Sequence, residues 1–434
     1  MIVFIVKMLT AMFAGFFLSV LFVAGMPWYY FAGFAFVVGA GVLFLKQPMK
    51  FLLYLLLFRA VIDPLLINVR FSVGGVDLGF GGSLSLLLIA GAILAMVSSK
   101  RGRFVFQPIS LMWLIFCLIN TAAFFYSADG GAATKTLIRY YSVFSIFILS
   151  FIYIESEKDA LALIRAVLYS GVWTVLGGVI YFFAKGKEGG RFAATLGHPN
   201  ILAFYLLILL GCLLVNSGVT TQKWKQWVLY ILFFAALVFT KTRSGWLAFI
   251  IMFIFYAGVF KRKLFLPGLG LILLLGFTPF VQHHIENIFT VNSSGISVNV
   301  NSSLGWRLEK WSYIWQAFLQ APYKGHGINA AVKYGNDALG AHNDYLRFLV
   351  ETGIFGMFFA FLPYFYILCI ALSDIRKNGV PQVRKNLALF IVIFVPSFLI
   401  MSISENLAGY IVIHWYLWAI SGRSQQRLLL PLLR

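Results

Sequence analysis

The chain has 434 residues, of which 61% are hydrophobic and only 11% charged. That is too little polar surface for a soluble protein of this size, and its runs of about 17–20 apolar residues have the length of transmembrane helices. The net charge of +20 lies mostly in short loops between those runs. It therefore reads as a topology signal and a contact for anionic lipid, not as a nucleic-acid interface.

Backbone groups in lipid must pair within the protein, and the alternation of a barrel strand is absent. The expected fold class is all-α: a polytopic transmembrane helical bundle of about 12–14 spans, with one long external loop containing short helices. In chain order, spans are expected near 5–25, 27–45, 51–67, 81–98, 108–126, 137–154, 160–184, 200–217, 226–240, 244–260, 264–281, 346–371, 387–403 and 408–421. Lys7 precedes the first apolar run with no clear small-residue cleavage site after it, which favours an uncleaved first span. Lys46/Lys50, "KRGR" at 100–103, Lys223/Lys225, "KRK" at 261–263, "IRKNGVPQVRKN" and the basic C-terminal tail fall on alternate loops. By the positive-inside rule that side, with both termini, is cytoplasmic. The organisation is thus an N-terminal helical bundle over 1–281, an external loop over 282–345, and C-terminal helices with a basic tail over 346–434. No internal repeat is visible.

The opposite side collects the unusual residues. In "GWRLEKWSYIWQAFLQAP", Arg307, Trp311, Ile314 and Phe318 share one helical face and Pro322 ends the pattern. Arg191 and Arg243 break the positive-inside rule at external span boundaries. Each alone is an interfacial snorkelling arginine as readily as a ligand. With Arg307 and His342 on the same side they form a cationic pocket suited to a lipid phosphate or pyrophosphate, which guanidinium groups clamp bidentately. His342 stands where Asp or Ser would cap a helix better, and it is the side chain best suited to take a proton near neutrality. Asn343 beside it can cap the helix or hydrogen-bond a partner. His198 and Asn200 in "GHPN" read as ordinary helix-start residues. Arg59 and Asp63 read as a compensated pair one turn apart in the third span, and Arg347 and Glu351 as a second pair. Gly353 and Gly356 would allow close packing against a neighbouring span. Cys117, Cys212 and Cys369 lie in apolar runs as small core residues. His283, His284 and His326 lack partners at metal-ligand spacing, so neither a metal nor a cofactor is expected.

His342, Asn343, nine residues and then Gly353-x-x-Gly356 resemble the signature of the bacterial O-antigen ligases, a superfamily shared with the Wzy-type O-antigen and exopolysaccharide polymerases. "RFAATLGHPN", "TKTRSGW" and "GWRLEKWSYIWQAFLQAPYKGHG" resemble further family patterns, in the right order over roughly 190–357. Met357 and Phe358 stand where the ligase signature continues with Thr. The resemblance implies an inner-membrane glycosyltransferase whose donor is a glycan on undecaprenyl pyrophosphate, facing the periplasm. The implied acceptor is a sugar of lipid A–core for a ligase, or a lipid-linked glycan for a polymerase. His342 is then the implied base, Arg191 and Arg243 hold the pyrophosphate in place of a metal, and Arg307 and Asn343 are further substrate contacts. A transporter of a lipid-linked or anionic solute is the alternative of another class; it would concentrate polar residues at the bilayer midplane.

Overall fold

The computed structural model describes residues 28–64, 72–73, 76–77, 79–185, 190–215, 222–276, 289–292, 295–298, 303–335 and 340–424. The expected span at 5–25, His283, His284 and most of the C-terminal tail lie outside them. The described helices are α1 (Trp28–Lys46), α2 (Pro48–Phe58), α3 (Gly79–Ser98), α4 (Pro108–Phe124), α5 (Gly130–Tyr153), α6 (Glu157–Lys185), α7 (Pro199–Val215) and α8 (Lys223–Phe239). They continue with α9 (Arg243–Phe260), α10 (Phe265–Gly276), α11 (Ser303–Gln320), α12 (Ala330–Tyr334), α13 (Asp344–Arg376), α14 (Gln382–Met401) and α15 (Ile411–Ser424). The only described strands form two antiparallel hairpins, β1 (Ser72–Val73) with β2 (Val76–Asp77), and β3 (Phe289–Asn292) with β4 (Gly295–Val298).

Six of these helices are long and apolar enough to cross a membrane: α3, α5, α6 up to Phe183, α9, α13 and α14. Shorter apolar helices include α2, α4 and α7. The protein is a multi-pass all-α membrane protein. Several expected boundaries move. The span expected at 51–67 ends at Phe58, with Arg59 as its C-cap. The external loop expected at 127–136 is already helical from Gly130, because Asp129 accepts a hydrogen bond from the Ala132 N–H and caps α5.

The centre of the bundle is α7, which is apolar on all sides and buried along nearly its whole length. It packs against α8, α9, α14 and α15. The pair α5–α15 shows how membrane helices associate without a hydrophobic drive of their own. Trp415 Nε1 donates to Ser142 Oγ at 3.1 Å, Ser150 Oγ donates to the Ala419 carbonyl, and Gly422 admits the backbone of Phe147. Trp415, Trp418, Tyr205 and Phe147 are fully buried, whereas Ile180, Phe183, Ile231 and Phe239 point outward, as on a surface that lipid covers. Arg59 and Asp63 form the expected buried ion pair, with the guanidinium also 5.1 Å from the centre of the Trp415 ring. Cys117 and Cys212 are buried, but Cys369 is exposed on α13 rather than a core residue.

The two glycines of α13 have a different partner from the one expected. Gly353 has φ 70° and ψ −171°, a conformation open essentially to glycine alone, and it breaks the helix. The stretch 322–327, which follows α11, enters the break. Ile354 N–H donates to the Pro322 carbonyl at 2.9 Å, while His326 and Gly327 N–H donate to the Val350 and Glu351 carbonyls at 2.8 and 3.0 Å. A Cβ on Gly353 would lie 2.2 Å from the Tyr323 carbonyl oxygen, and one on Gly325 would lie 2.4 Å from that of Glu351. A Cβ on Gly356 would meet Thr352 of its own helix at 1.8 Å. The glycines therefore serve an unwound turn that docks the 322–327 segment, not a neighbouring span. Gly353→Ala is expected to destabilise the protein by about 1–3 kcal/mol, the cost of a forbidden backbone well and a lost close approach. Thermal unfolding in detergent checks this against Gly39→Ala, where a Cβ meets nothing within 4 Å. Equal midpoints for the two variants would refute the docking role.

Candidate active site

One end of the bundle gathers the connection 190–198, the turn 240–243, α11, residues 340–344 and the connection 402–410. The geometry starts with α11. Its face carries Ile314 and Phe318 inward, as the spacing predicts, and also buries Lys310. Lys310 Nζ lies 4.2 Å from the Trp306 ring centre and donates to the Gly340 carbonyl at 2.8 Å. Trp311 Nε1 donates to the Ala341 carbonyl, also at 2.8 Å. The segment leading into α13 is thus clamped by two side chains of one helix.

His342 follows directly. Its φ is +47°, a left-handed backbone that costs a non-glycine residue about 1 kcal/mol or more and persists only where the surroundings impose it. The imidazole is half-buried, 5.5 Å from the Trp306 ring and tilted 63° to it. Asn343 takes the capping role: its side chain accepts from the Leu346 N–H at 3.1 Å. Asp344 N–H donates to the Ser402 carbonyl at 2.8 Å, and Asp344 Oδ2 accepts from the Ala408 N–H at 2.9 Å. Residues 342–344 are therefore held from three directions: α11, α13 and the 402–410 connection.

The arginines gather around a residue the sequence reading passed over. Glu405 is 1% exposed. A buried carboxylate is tolerated only with donors to match. Ser244 Oγ donates to Oε1 at 2.8 Å, Asn200 Nδ2 donates to Oε2 at 3.2 Å, and Arg307 Nη2 stands 3.8 Å from Oε1. Asn200 in turn accepts from Arg191 Nη2 at 2.9 Å. Arg191 also donates to Thr242 Oγ1 at 2.9 Å and, through Nε, to the Thr240 carbonyl at 3.0 Å. Asn200 is consequently the hub of the network and not merely a helix-start residue. It is well placed for that, in the first turn of the deeply buried α7. His198 Nδ1 accepts from the Asn200 N–H at 3.2 Å. Burial and the neighbouring Arg191 hold this imidazole's pKa below the usual value, which keeps Nδ1 available as an acceptor. Tyr410 is pushed the other way by burial and by Glu405, and remains a protonated phenol.

The structure brings Arg191 and Arg307 to one carboxylate. It brings His342 to the same helix as Arg307 through Trp306. Arg243 stands apart from the network: it is exposed, as the first residue of α9, beside the Ser244 that holds Glu405. Its guanidinium makes no hydrogen bond or ion pair among the described residues. Arg347 and Glu351 pair as the spacing predicts, at 3.3 Å. His326 is structural, with its ring nitrogens on the Ala317 carbonyl and the Tyr334 hydroxyl. Among the described residues no three His, Cys, Asp or Glu side chains group as metal ligands would. The signal that could have found Glu405 is its place in the sequence: an acid in the short turn between two spans.

The sequence pattern of the O-antigen ligase family matches residues 228–361. This supports membership of the superfamily that O-antigen ligases share with the Wzy-type polymerases, and hence an enzyme of the glycosyltransferase type. The match covers Arg243, Arg307, His342, Asn343 and both glycines of the broken helix, while Arg191, Asn200 and Glu405 lie outside it. No curated protein matches the chain. Replacing Glu405 by Ala strands the donors of Arg307 and Asn200 in a buried site and is expected to cost about 2–3 kcal/mol. Glu405→Gln, which keeps two hydrogen-bonding atoms, is expected to cost less. Unfolding midpoints of the two variants measure the difference, and a wild-type midpoint for Glu405→Ala contradicts the network.

Proposed function

We propose, from the premise that residues 228–361 carry an O-antigen ligase domain, that this protein transfers a glycan from undecaprenyl pyrophosphate to a sugar of lipid A–core. The reaction runs at the periplasmic face of the inner membrane, with both termini cytoplasmic, and uses no metal. The observation that carries this reading is the convergence at one end of the bundle: Arg191 and Arg307 joined through Asn200 and Glu405, with His342 fixed by the same helix that carries Arg307.

The acceptor hydroxyl gives its proton to His342 as its oxygen bonds to the anomeric carbon. The bond from that carbon to the pyrophosphate oxygen breaks, and its electron pair leaves with the lipid pyrophosphate. A base is worth about 10²–10⁴ in rate in such a step. Positive charge fixed in advance at the leaving group lowers the barrier further, because it needs no reorganisation as charge develops. Arg191 is preset by Thr240, Thr242 and Asn200; Arg243, exposed and untethered, closes on the pyrophosphate. Arg307 divides its charge between Glu405 and the acceptor side, and Asn343 orients His342 by capping α13. In-line displacement inverts the anomeric carbon.

Polymerisation onto a second lipid-linked repeat unit is the competing reading, and Met357 favours it, since the ligase signature has Thr there. Deleting the gene separates the two. Lipid-linked polymer that accumulates with no glycan attached to core marks a ligase; a single repeat unit still attached marks a polymerase. With purified protein and lipid-linked donor, His342→Ala is expected to lower kcat by about 10²–10⁴, with the fold intact. Arg191→Gln is expected to lose more activity than Arg191→Lys, and chelator is expected to have no effect. Full activity of folded His342→Ala removes the base assignment; loss of activity in chelator removes the metal-free clamp.

A further inference from the structure

A second cationic site lies away from Arg191. Arg139 occupies the tenth position of α5, about 14 Å along the helix axis from its outer end. It is exposed, yet its guanidinium makes no hydrogen bond or ion pair among the described residues. An unpaired arginine at that depth of a membrane helix is costly and is ordinarily functional. Lys135 stands one turn above it on the same face. Two like charges at that spacing destabilise a helix by a few tenths of a kcal/mol instead of supporting it.

Arg139 lines two adjoining cavities. The outer, of about 1110 Å³ including its opening, is walled by α5 and the 326–334 segment and carries Lys135, Lys333 and Arg139 against a single carboxylate, Asp129. That carboxylate is already engaged in capping α5. The inner, of about 580 Å³ including its opening, is mostly aromatic and reaches Asp344, Ala408 and Gly409. Thr136 and Arg139 are common to both. The inner cavity thus ends on the same two stretches that carry His342 and Glu405. It arrives from α4, α5 and α15, whereas the Arg191 network is built from α7, α9 and α11.

We infer that Arg139, Lys135 and Lys333 form a second anion site, which takes the phosphate or pyrophosphate headgroup of the second lipid substrate, the acceptor. Arg139 and Lys333, facing one carboxylate that already caps α5, suit a phosphate ester. The inner cavity ends at Asp344, Ala408 and Gly409, on the stretches that carry His342 and Glu405, and this brings an acceptor sugar bound here toward a donor held by Arg191. Two lipid substrates then meet from two sides at His342, neither passing through the other's site. The role as acceptor site rests on the transferase reading; the anion site itself does not.

The test uses the full chain in lipid nanodiscs and two probes, a short-chain polyprenyl pyrophosphate and inorganic pyrophosphate. Calorimetric titration is expected to give two sites for the lipid probe. Arg139→Gln is expected to weaken one of them about tenfold, the worth of one charge-assisted contact, while Arg139→Lys keeps it within about threefold. Arg191→Gln is expected to weaken the other. In transfer assays Arg139→Gln raises the KM for the lipid acceptor and leaves kcat and the KM for donor unchanged, a split that mere loss of structure would not produce. Should Arg139→Gln fail to fold, Lys135→Gln/Lys333→Gln carries the same expectation. Two undiminished sites in these variants overturn the proposal. Inorganic pyrophosphate binding as tightly as the lipid probe overturns the lipid headgroup in favour of a free anion. Loss of the Arg139-dependent site with no transferase activity in the wild type overturns the proposed reaction and leaves the anion site standing.

Discussion

The outer half of this protein hangs on a broken helix. Inside a membrane a backbone N–H or carbonyl without a partner costs several kcal/mol, so a helix can unwind there only where protein supplies the missing bonds. At Gly353 the partner is the chain's own segment 322–327, which gives the Pro322 carbonyl and takes two carbonyls of α13 in return. That exchange fixes the end of α11. Through Lys310 and Trp311, α11 then fixes 340–341 and so the strained backbone of His342. The glycines of the signature and the histidine fourteen positions before the second of them are parts of one mechanical chain.

Charge at this end of the bundle obeys a similar economy. Several arginines at one membrane surface would repel each other and any neighbouring basic lipid contact. A single buried carboxylate, Glu405, draws Arg307 directly and Arg191 through Asn200, leaving Arg243 outside the network. One cation is therefore held, one shared and one exposed. Arg139 stands outside this scheme, on different helices, and the absence of any hydrogen bond or ion pair at its guanidinium among the described residues is what marks it.

The parts of the site legible in the sequence are those set by local spacing or by side. Periodicity put Ile314 and Phe318 on the inner face of α11, four-residue spacing paired Arg347 with Glu351 and Arg59 with Asp63, and loop charge singled out Arg191 and Arg243. The readings that changed concern contacts between distant segments. Asn200 looked like a helix start and is a hub because Glu405, 205 positions on, reaches it. Gly353 looked like a packing glycine and is a docking point for a loop.

By itself the sequence determined that the chain is a membrane-embedded helical bundle, because hydropathy over each run is a local property read one segment at a time. It also carried the family pattern in 228–361. Only the tertiary structure decided how the residues meet: which carboxylate balances the arginines, what fills the break at Gly353, and that Arg139 opens into two cavities. Such pairings depend on where the helices cross, and side-chain packing over the whole bundle sets those crossings, which no single segment encodes.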